Sequence, residues 1–87
     1  MTIRVTAVER RVFALLFAAG EARAEAGTFL IDDRMELPAT IIRRLIRMGL
    51  VSVFRSGKRV HIRPSIGAAG TMDQAREVDT SPRRRAA

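Results

Sequence analysis

The chain has 87 residues, of which 47% are hydrophobic and only four, all phenylalanine, are aromatic, so it has room for one domain with a small aliphatic core. It contains no cysteine, which excludes disulfides, thiolate metal sites and cysteine nucleophiles. The formal net charge is +7, which favours a polyanionic partner such as nucleic acid or an anionic membrane.

The longest apolar run covers residues 12–19 and is too short to cross a bilayer as a helix. Arg10 and Arg11 precede this run, but no exporting pattern follows it, so we identify no signal peptide. We therefore expect a cytoplasmic protein that has no membrane partner. The composition, rich in alanine and arginine, suggests a GC-rich bacterial or phage genome.

The positive charge is concentrated in one segment of the chain. Residues 37–63 contain seven arginine or lysine residues and no acidic residue, whereas residues 1–36 have a net charge of −1 and residues 64–87 a net charge of +1. A general bias toward solubility would not require such a concentration. The segment 37–63 is therefore the predicted contact with a polyanion.

The first predicted element is a helix from Thr6 to Ala19. Residues 6–9 match a capping box, in which the Thr6 and Glu9 side chains satisfy amide groups left free at the helix start, and Gly20 can adopt the left-handed conformation that ends a helix. The apolar residues span an arc of about 200°, so we expect the helix to lie at the centre of the core or to form a homodimer contact. That contact would involve Val8, Val12, Phe13, Leu16 and Phe17.

Residues 21–36 allow more than one interpretation. The alanine-rich stretch 21–26 either prolongs the first helix or forms a loop. Thr28 can cap a short second helix that continues to Met35, although the same sequence could place residues 28–31 in a strand. Of these interpretations we favour the helix.

A strongly amphipathic helix is predicted over residues 38–48. Pro38 suits the first turn, because its missing amide hydrogen costs nothing there, and Gly49 marks the end. One side of this helix is apolar, with Ile41, Ile42, Leu45, Ile46 and Met48. The opposite side is polar and basic, with Thr40, Arg43, Arg44 and Arg47.

A β-hairpin is predicted directly after this helix. Residues 51–55 and 58–63 alternate between apolar and polar side chains, and Ser56-Gly57 suits a two-residue turn. The predicted register pairs Val53 with Val60 and Val51 with Ile62 on one face, and places Ser52, Phe54, Arg59 and His61 on the other. Residues 65–87 have almost no large apolar side chain, which predicts a mostly disordered basic tail, with at most a transient helical turn within residues 72–78.

The step Gly49-Leu50-Val51 and the basic tip at residues 55–59 together resemble the winged helix-turn-helix family of DNA-binding proteins. The resemblance covers residues 6–63, and residues 38–63 carry it. It implies an α+β fold, mostly helical, with a C-terminal two-stranded β-hairpin wing, in a domain over residues 1–64 followed by the tail over 65–87. It also implies sequence-specific binding of double-stranded DNA by a recognition helix (38–48) and a basic wing (51–63), in a transcription regulator or a DNA-architectural accessory.

The predicted DNA-binding residues lie on the helix and the wing: Pro38, Thr40, Arg43, Arg44, Arg47, Arg55, Lys58, Arg59 and Arg63. The major groove admits one helix, and an arginine fork can donate two hydrogen bonds to guanine. The helix start at residues 38–40 favours a phosphate, and the cations of the wing would reach the DNA backbone or the minor groove.

The sequence also allows functions other than DNA binding. A winged-helix module for protein–protein interaction, with an acidic partner on the arginine side, is the alternative. RNA binding is less favoured, because Phe54 is the only aromatic residue on the basic side. His61 has no second His or Cys to form a metal site, and the carboxylates of residues 9, 32, 33 and 36 are explained by helix ends and local charge balance. We therefore predict no enzyme, no catalytic residue, no metal and no cofactor.

Overall fold

The computed structural model describes residues 3–78, and for residues 77 and 78 it describes the backbone alone. The helices in this range are α1 (Ala7–Ala19), α2 (Ala39–Arg47) and α3 (Ala68–Gln74). The strands are β1 (Arg4–Thr6), β2 (Ala22–Glu25), β3 (Thr28–Ile31), β4 (Met35–Leu37), β5 (Val51–Ser56), β6 (Arg59–Pro64) and β7 (Arg76–Val78). Five strands form an antiparallel sheet in the order β4-β3-β2-β6-β5, and β1 pairs in parallel with β7.

The five-stranded sheet has one face covered by helices and one open face. Its register places Ala22, Ile31, Leu37, Val51 and Ile62 on the same face, and all five are buried. On this side α1 contacts β6 and α2 contacts β5, so we call it the helix-covered face. The opposite face, which we call the open face, carries Arg23, Glu25, Thr28, Leu30, Glu36, Ser52, Phe54, Ser56, Arg59, His61 and Arg63.

Helix α1 begins and ends where its sequence predicts. The Glu9 amide donates to Thr6 Oγ1 at 3.0 Å, and the Thr6 amide donates to Glu9 Oε1 at 2.8 Å, which completes the capping box. At the other end Gly20 has a φ of 91° and donates its amide hydrogen to the Leu16 carbonyl. Both ends therefore satisfy backbone groups that a helix terminus leaves free.

The apolar side of α1 lies in the core of the chain itself. Val12, Phe13 and Leu16 are buried, so these three side chains, which the sequence assigned to a homodimer contact, are covered by their own chain. Of the predicted contact, only Val8 and Phe17 are on the surface, 46% and 55% exposed.

Residues 21–37 form three strands, so the predicted helix over residues 28–35 is wrong. The turn between β2 and β3 consists of Ala26 and Gly27, with φ values of 50° and 83°, and Asp32 and Asp33 after β3 have φ values of 53° and 58°. Two successive positive φ angles define a type I′ turn, whose twist matches that of antiparallel strands. Strand β2 also pairs with the distant strand β6, so pairing between remote segments outweighed the weak local helix signal.

The predicted fold class, a mostly helical winged helix-turn-helix, is therefore wrong. A helix-turn-helix requires a helix immediately before the recognition helix, whereas here β4 ends at Leu37 and α2 begins at Ala39. The predicted two-stranded wing is also not separate, because β6 continues the sheet through β2 to β3 and β4. The fold is a small α+β domain in which three helices accompany a five-stranded antiparallel sheet.

Helix α2 confirms the predicted amphipathic helix, with Pro38 and Met48 as its caps. Gly49 follows with a φ of 80°, and the Leu50 amide donates to the Leu45 carbonyl at 2.9 Å. This is a Schellman ending, in which the residue after the glycine also packs on the last turn. Leu45 and Leu50 are both buried, so the turn sets the direction in which the chain enters β5.

The β5–β6 hairpin confirms the predicted faces but not the predicted register. The turn consists of Gly57, with a φ of 64°, and Lys58, so Val53 pairs with Ile62. A turn made of Ser56 and Gly57 would require a positive φ at serine, whereas a type II′ turn requires it only at its first position, where Gly57 stands. Because the register shifts by an even number of residues, every side chain keeps its face.

Residues 65–78 are folded, although the sequence assigned them to a disordered tail. Helix α3 buries Ala68 and Met72. The Arg10 guanidinium donates to the Met72 carbonyl at 3.0 Å and to the Ala75 carbonyl at 2.9 Å, which satisfies acceptors at the end of α3. The fold thus extends past the predicted boundary at residue 64, and the remainder of the predicted tail, residues 79–87, lies outside the described residues.

Candidate nucleic-acid interface

The outward side of α2 presents two arginines to solvent. Thr40, Arg43 and Arg47 are exposed and share one side of the helix because they are spaced by three and four residues. On the other side Ile42 and Leu45 are fully buried. Among the side chains that the structure describes, those of residues 3–76, no carboxylate pairs with Arg43 or Arg47. These two guanidinium groups are therefore available to an external anion.

Arg44, which the sequence also assigned to DNA contact, is held by α1. Its Nη1 donates to Glu9 Oε2 at 3.2 Å, and the Glu9 side chain is only 6% exposed whereas that of Arg44 is 50% exposed. A buried carboxylate requires hydrogen-bond partners, and Glu9 has two, since its other oxygen accepts from the Thr6 amide. Arg44 thus fixes α2 against the start of α1 and keeps half of its side chain in solvent.

The hairpin divides its cations between the two faces of the sheet. Arg55 lies on the helix-covered face, Arg59 and Arg63 lie on the open face, and Lys58 occupies the turn. All four are exposed. Of the predicted DNA-binding residues, the structure therefore places Pro38, Thr40, Arg43, Arg44, Arg47 and Arg55 on the helix side of the sheet and Arg59 and Arg63 on the other.

On the open face, the cation of β2, Arg23, is paired with nearby carboxylates. Arg23 Nη2 lies 2.7 Å from Glu25 Oε2 and 2.6 Å from Asp33 Oδ1. His61 Nδ1 lies 3.2 Å from Glu21 Oε2. Glu21, Arg23, Asp33 and His61 border a cleft of about 230 Å³ whose lining carries both signs of charge. This part of the open face is poorly suited to a polyanion, because its acids repel phosphate.

Phe54, the one aromatic candidate for stacking on a base, is already in contact with its neighbours. Its ring stacks on that of His61 at 5.1 Å between centroids and 18° between planes, and the Arg63 guanidinium carbon lies 4.4 Å from the Phe54 ring centroid. This geometry is a cation–π contact on an exposed sheet. A base could stack on Phe54 only by displacing one of these side chains.

Sequence reasoning missed the contacts of two side chains that hold the helices together. Glu9 was assigned only to the helix cap, and its bond to Arg44 joins residues 35 positions apart. Arg10 was noted only as preceding the apolar run of α1, but it donates hydrogen bonds to carbonyl groups more than 60 positions away. No local pattern could reveal either contact, since both depend on how α1, α2 and α3 pack.

Among the side chains described within residues 3–76, no group of three or more His, Cys, Asp or Glu residues is arranged to hold a metal ion. None of the helices described there is long and apolar enough to cross a membrane. No family model matches the sequence, and comparison with curated proteins and with solved structures gives no match.

Proposed function

We propose that this protein binds double-stranded DNA through the outward side of α2, acting as a transcription regulator or a DNA-architectural accessory. The observation that carries the proposal is the pair Arg43 and Arg47. Both are exposed on a helix that contains no acidic residue, and neither has a carboxylate partner among the described residues. A helix in the major groove needs an apolar side docked on its own domain and guanidinium groups on the other.

The contacts of α2 with the rest of the domain should keep this helix in position when it binds DNA. Ile42 and Leu45 anchor α2 in the core, the Arg44–Glu9 bond fixes it against α1, and the Schellman turn at Gly49 fixes its end. A helix held at several points loses little conformational freedom on binding. Arg43 or Arg47 would read sequence where it meets guanine, and would contact phosphate elsewhere.

The β5–β6 hairpin would contribute fewer contacts with DNA than α2 does. Arg55 projects on the same side of the sheet as α2, and Lys58 lies at the tip of the hairpin, so both can reach the phosphate backbone beside the groove. Arg59 and Arg63 point to the open face, and Arg63 is in contact with Phe54. We therefore assign the DNA interface to α2, Arg55 and Lys58, and leave Arg59 and Arg63 outside it.

The test is fluorescence anisotropy on mixed-sequence duplex DNA across a salt series. The variant Arg43→Ala/Arg47→Ala is compared with Arg34→Ala/Arg76→Ala, which removes the same charge from exposed positions outside the proposed interface. We expect the first variant to lose about ten- to a hundredfold in affinity and to reduce the slope of log affinity against log salt by about two. The control should change much less. Equal losses in both variants would mean that net charge alone attracts DNA, and no loss in the first would exclude α2 as the interface.

We further propose that two copies associate through the exposed part of α1, so that two DNA half-sites can be bound together. The observation that favours this is the exposure of Phe17, which is 55% exposed on α1, since large exposed apolar side chains often mark contacts. Sedimentation velocity at micromolar concentrations should detect a dimer, and Phe17→Ser should shift it toward monomer. A wild-type protein that stays monomeric throughout would exclude this association.

A further inference from the structure

Strand β5 leaves one row of its backbone groups without a partner strand. It is an edge of the five-stranded sheet, and within residues 3–78 no strand pairs with its outer side. Ser56 and Arg59 flank the two-residue turn, and such a closing pair exchanges hydrogen bonds, after which bonded and non-bonded pairs alternate along the hairpin. By this alternation the amide and carbonyl groups of Val53 and Arg55 point outward, away from β6.

The two edges of the sheet differ in how well they are protected. The far edge, β4, has only three residues, and short edges resist pairing with other chains. The β5 edge has six residues and contains no proline, and its apolar residue Val53 is 52% exposed. An exposed edge of this length is the geometry that accepts an added strand.

The charge around the β5 edge is of one sign. The hairpin 51–64 contains no acidic residue and four cations, of which Arg55 lies on β5 itself and Arg63 lies across from Ser52. A second copy of the chain would bring the same cations to the edge, and like charges that face each other across paired strands are unfavourable. The edge therefore selects against its own copy and in favour of an acidic segment.

We propose that the β5 edge binds an extended acidic peptide segment of a partner protein, which adds a sixth strand to the sheet. The segment would receive backbone hydrogen bonds from Val53 and Arg55, and an apolar residue opposite Val53 would pack on its exposed side chain. An acidic residue two positions along would face Arg55, because alternate residues share a face. A nucleic acid cannot satisfy this edge in the same way, since it has no regular row of amide and carbonyl groups.

The probe is a fluorescein-labelled peptide of about eight residues, within the usual length range of strands. Its odd positions are alternately valine and glutamate, and threonine occupies every even position. Anisotropy should report saturable binding to the full chain. The variant Val53→Pro removes the outward amide hydrogen and places a ring on the edge. Proline is tolerated there because the Val53 amide is not used by β6, and circular dichroism would check that the sheet remains.

We expect Val53→Pro to weaken peptide binding at least about tenfold, as expected for lost hydrogen bonds and a blocked edge, while duplex DNA binding is unchanged. On the wild-type protein, a peptide N-methylated at alternate residues should bind only when the methyl groups face away from β5, and replacing glutamate by lysine in the peptide should abolish binding. This keeps the test independent of how well the variant folds. Indifference to N-methylation, absence of binding at millimolar peptide, or complete displacement by single-stranded DNA would each overturn the proposal.

Discussion

The two faces of the sheet carry arginines in opposite electrostatic settings. On the helix side, the single acid of α1 and α2, Glu9, is buried and bound to Arg44. Arg43 and Arg47 face solvent there, with no carboxylate partner among the described side chains. On the open face, Arg23 lies between Glu25 and Asp33. The number of cations is therefore a poor guide to where an anion binds.

The difference arises from where each acid is placed. A capping-box glutamate must lie at the third position of α1, and packing then brings that position next to Arg44 rather than next to its neighbours on α2. On the open face, Glu25 lies on the same strand as Arg23, and Asp33 lies in the turn that follows the neighbouring strand β3. Both carboxylates are therefore within hydrogen-bond distance of the Arg23 guanidinium. Local neutralisation decides which surface remains attractive to a polyanion.

The largest expected effect is a difference in the free energy of unfolding between substitutions on the two faces of the sheet. Ile62 is fully buried on the helix-covered face, whereas the adjacent His61 lies on the open face. We expect Ile62→Ala to lower the free energy of unfolding by about 2–5 kcal/mol, because it leaves a cavity. His61→Ala, which loses the stacking on Phe54 and the contact with Glu21 but leaves no cavity in the core, should lower it by only about 1 kcal/mol. Urea unfolding followed by circular dichroism measures both, and equal losses would show that the faces are not distinguished in this way.

A smaller effect is expected from the single acid of the helix side. Glu9→Gln keeps an acceptor for the Thr6 amide but removes the charge that holds Arg44, so we expect a loss of about 1–2 kcal/mol, reduced because Arg44 is half exposed. Glu25→Gln, on the open face, should cost less than about 0.5 kcal/mol. Thermal unfolding of the two variants provides the comparison. If Arg44→Ala in the Glu9→Gln background costs as much as it does in the wild type, the two side chains are not coupled.

The smallest effect concerns the turn that joins the hairpin strands. Gly57 has a φ of 64°, where a side chain is strained, so Gly57→Ala should destabilise the protein by about 1 kcal/mol. Gly70 lies within α3 and has nothing within 4 Å of an added Cβ, so Gly70→Ala should stabilise by about 0.5 kcal/mol. Chemical denaturation resolves the signs, and a stabilising Gly57→Ala would contradict the register that assigns hairpin residues to their faces.

Elements with strong local signals could be predicted from the sequence. The capping box at Thr6, the amphipathic α2, the glycine after Met48 and the alternation in the hairpin all act within a few residues, so local chemistry specifies them. Arg43 and Arg47 could be recognised as exposed for the same reason. The hairpin register was missed by two residues because two turns were possible, and only the strain of a positive φ at Ser56 distinguishes them.

The sequence by itself determined α1, α2, the β5–β6 hairpin and the excess of positive charge between residues 37 and 63. Only the tertiary structure decided that residues 21–37 are strands, because β2 is held by β6 from another part of the chain. It also decided that Arg44 binds Glu9 and that the hairpin cations divide between two faces. Residues 65–78 fold onto α1, where Arg10 donates hydrogen bonds to two of their carbonyl groups. Each of these depends on contacts between distant segments, whose free energy has no counterpart in local sequence patterns.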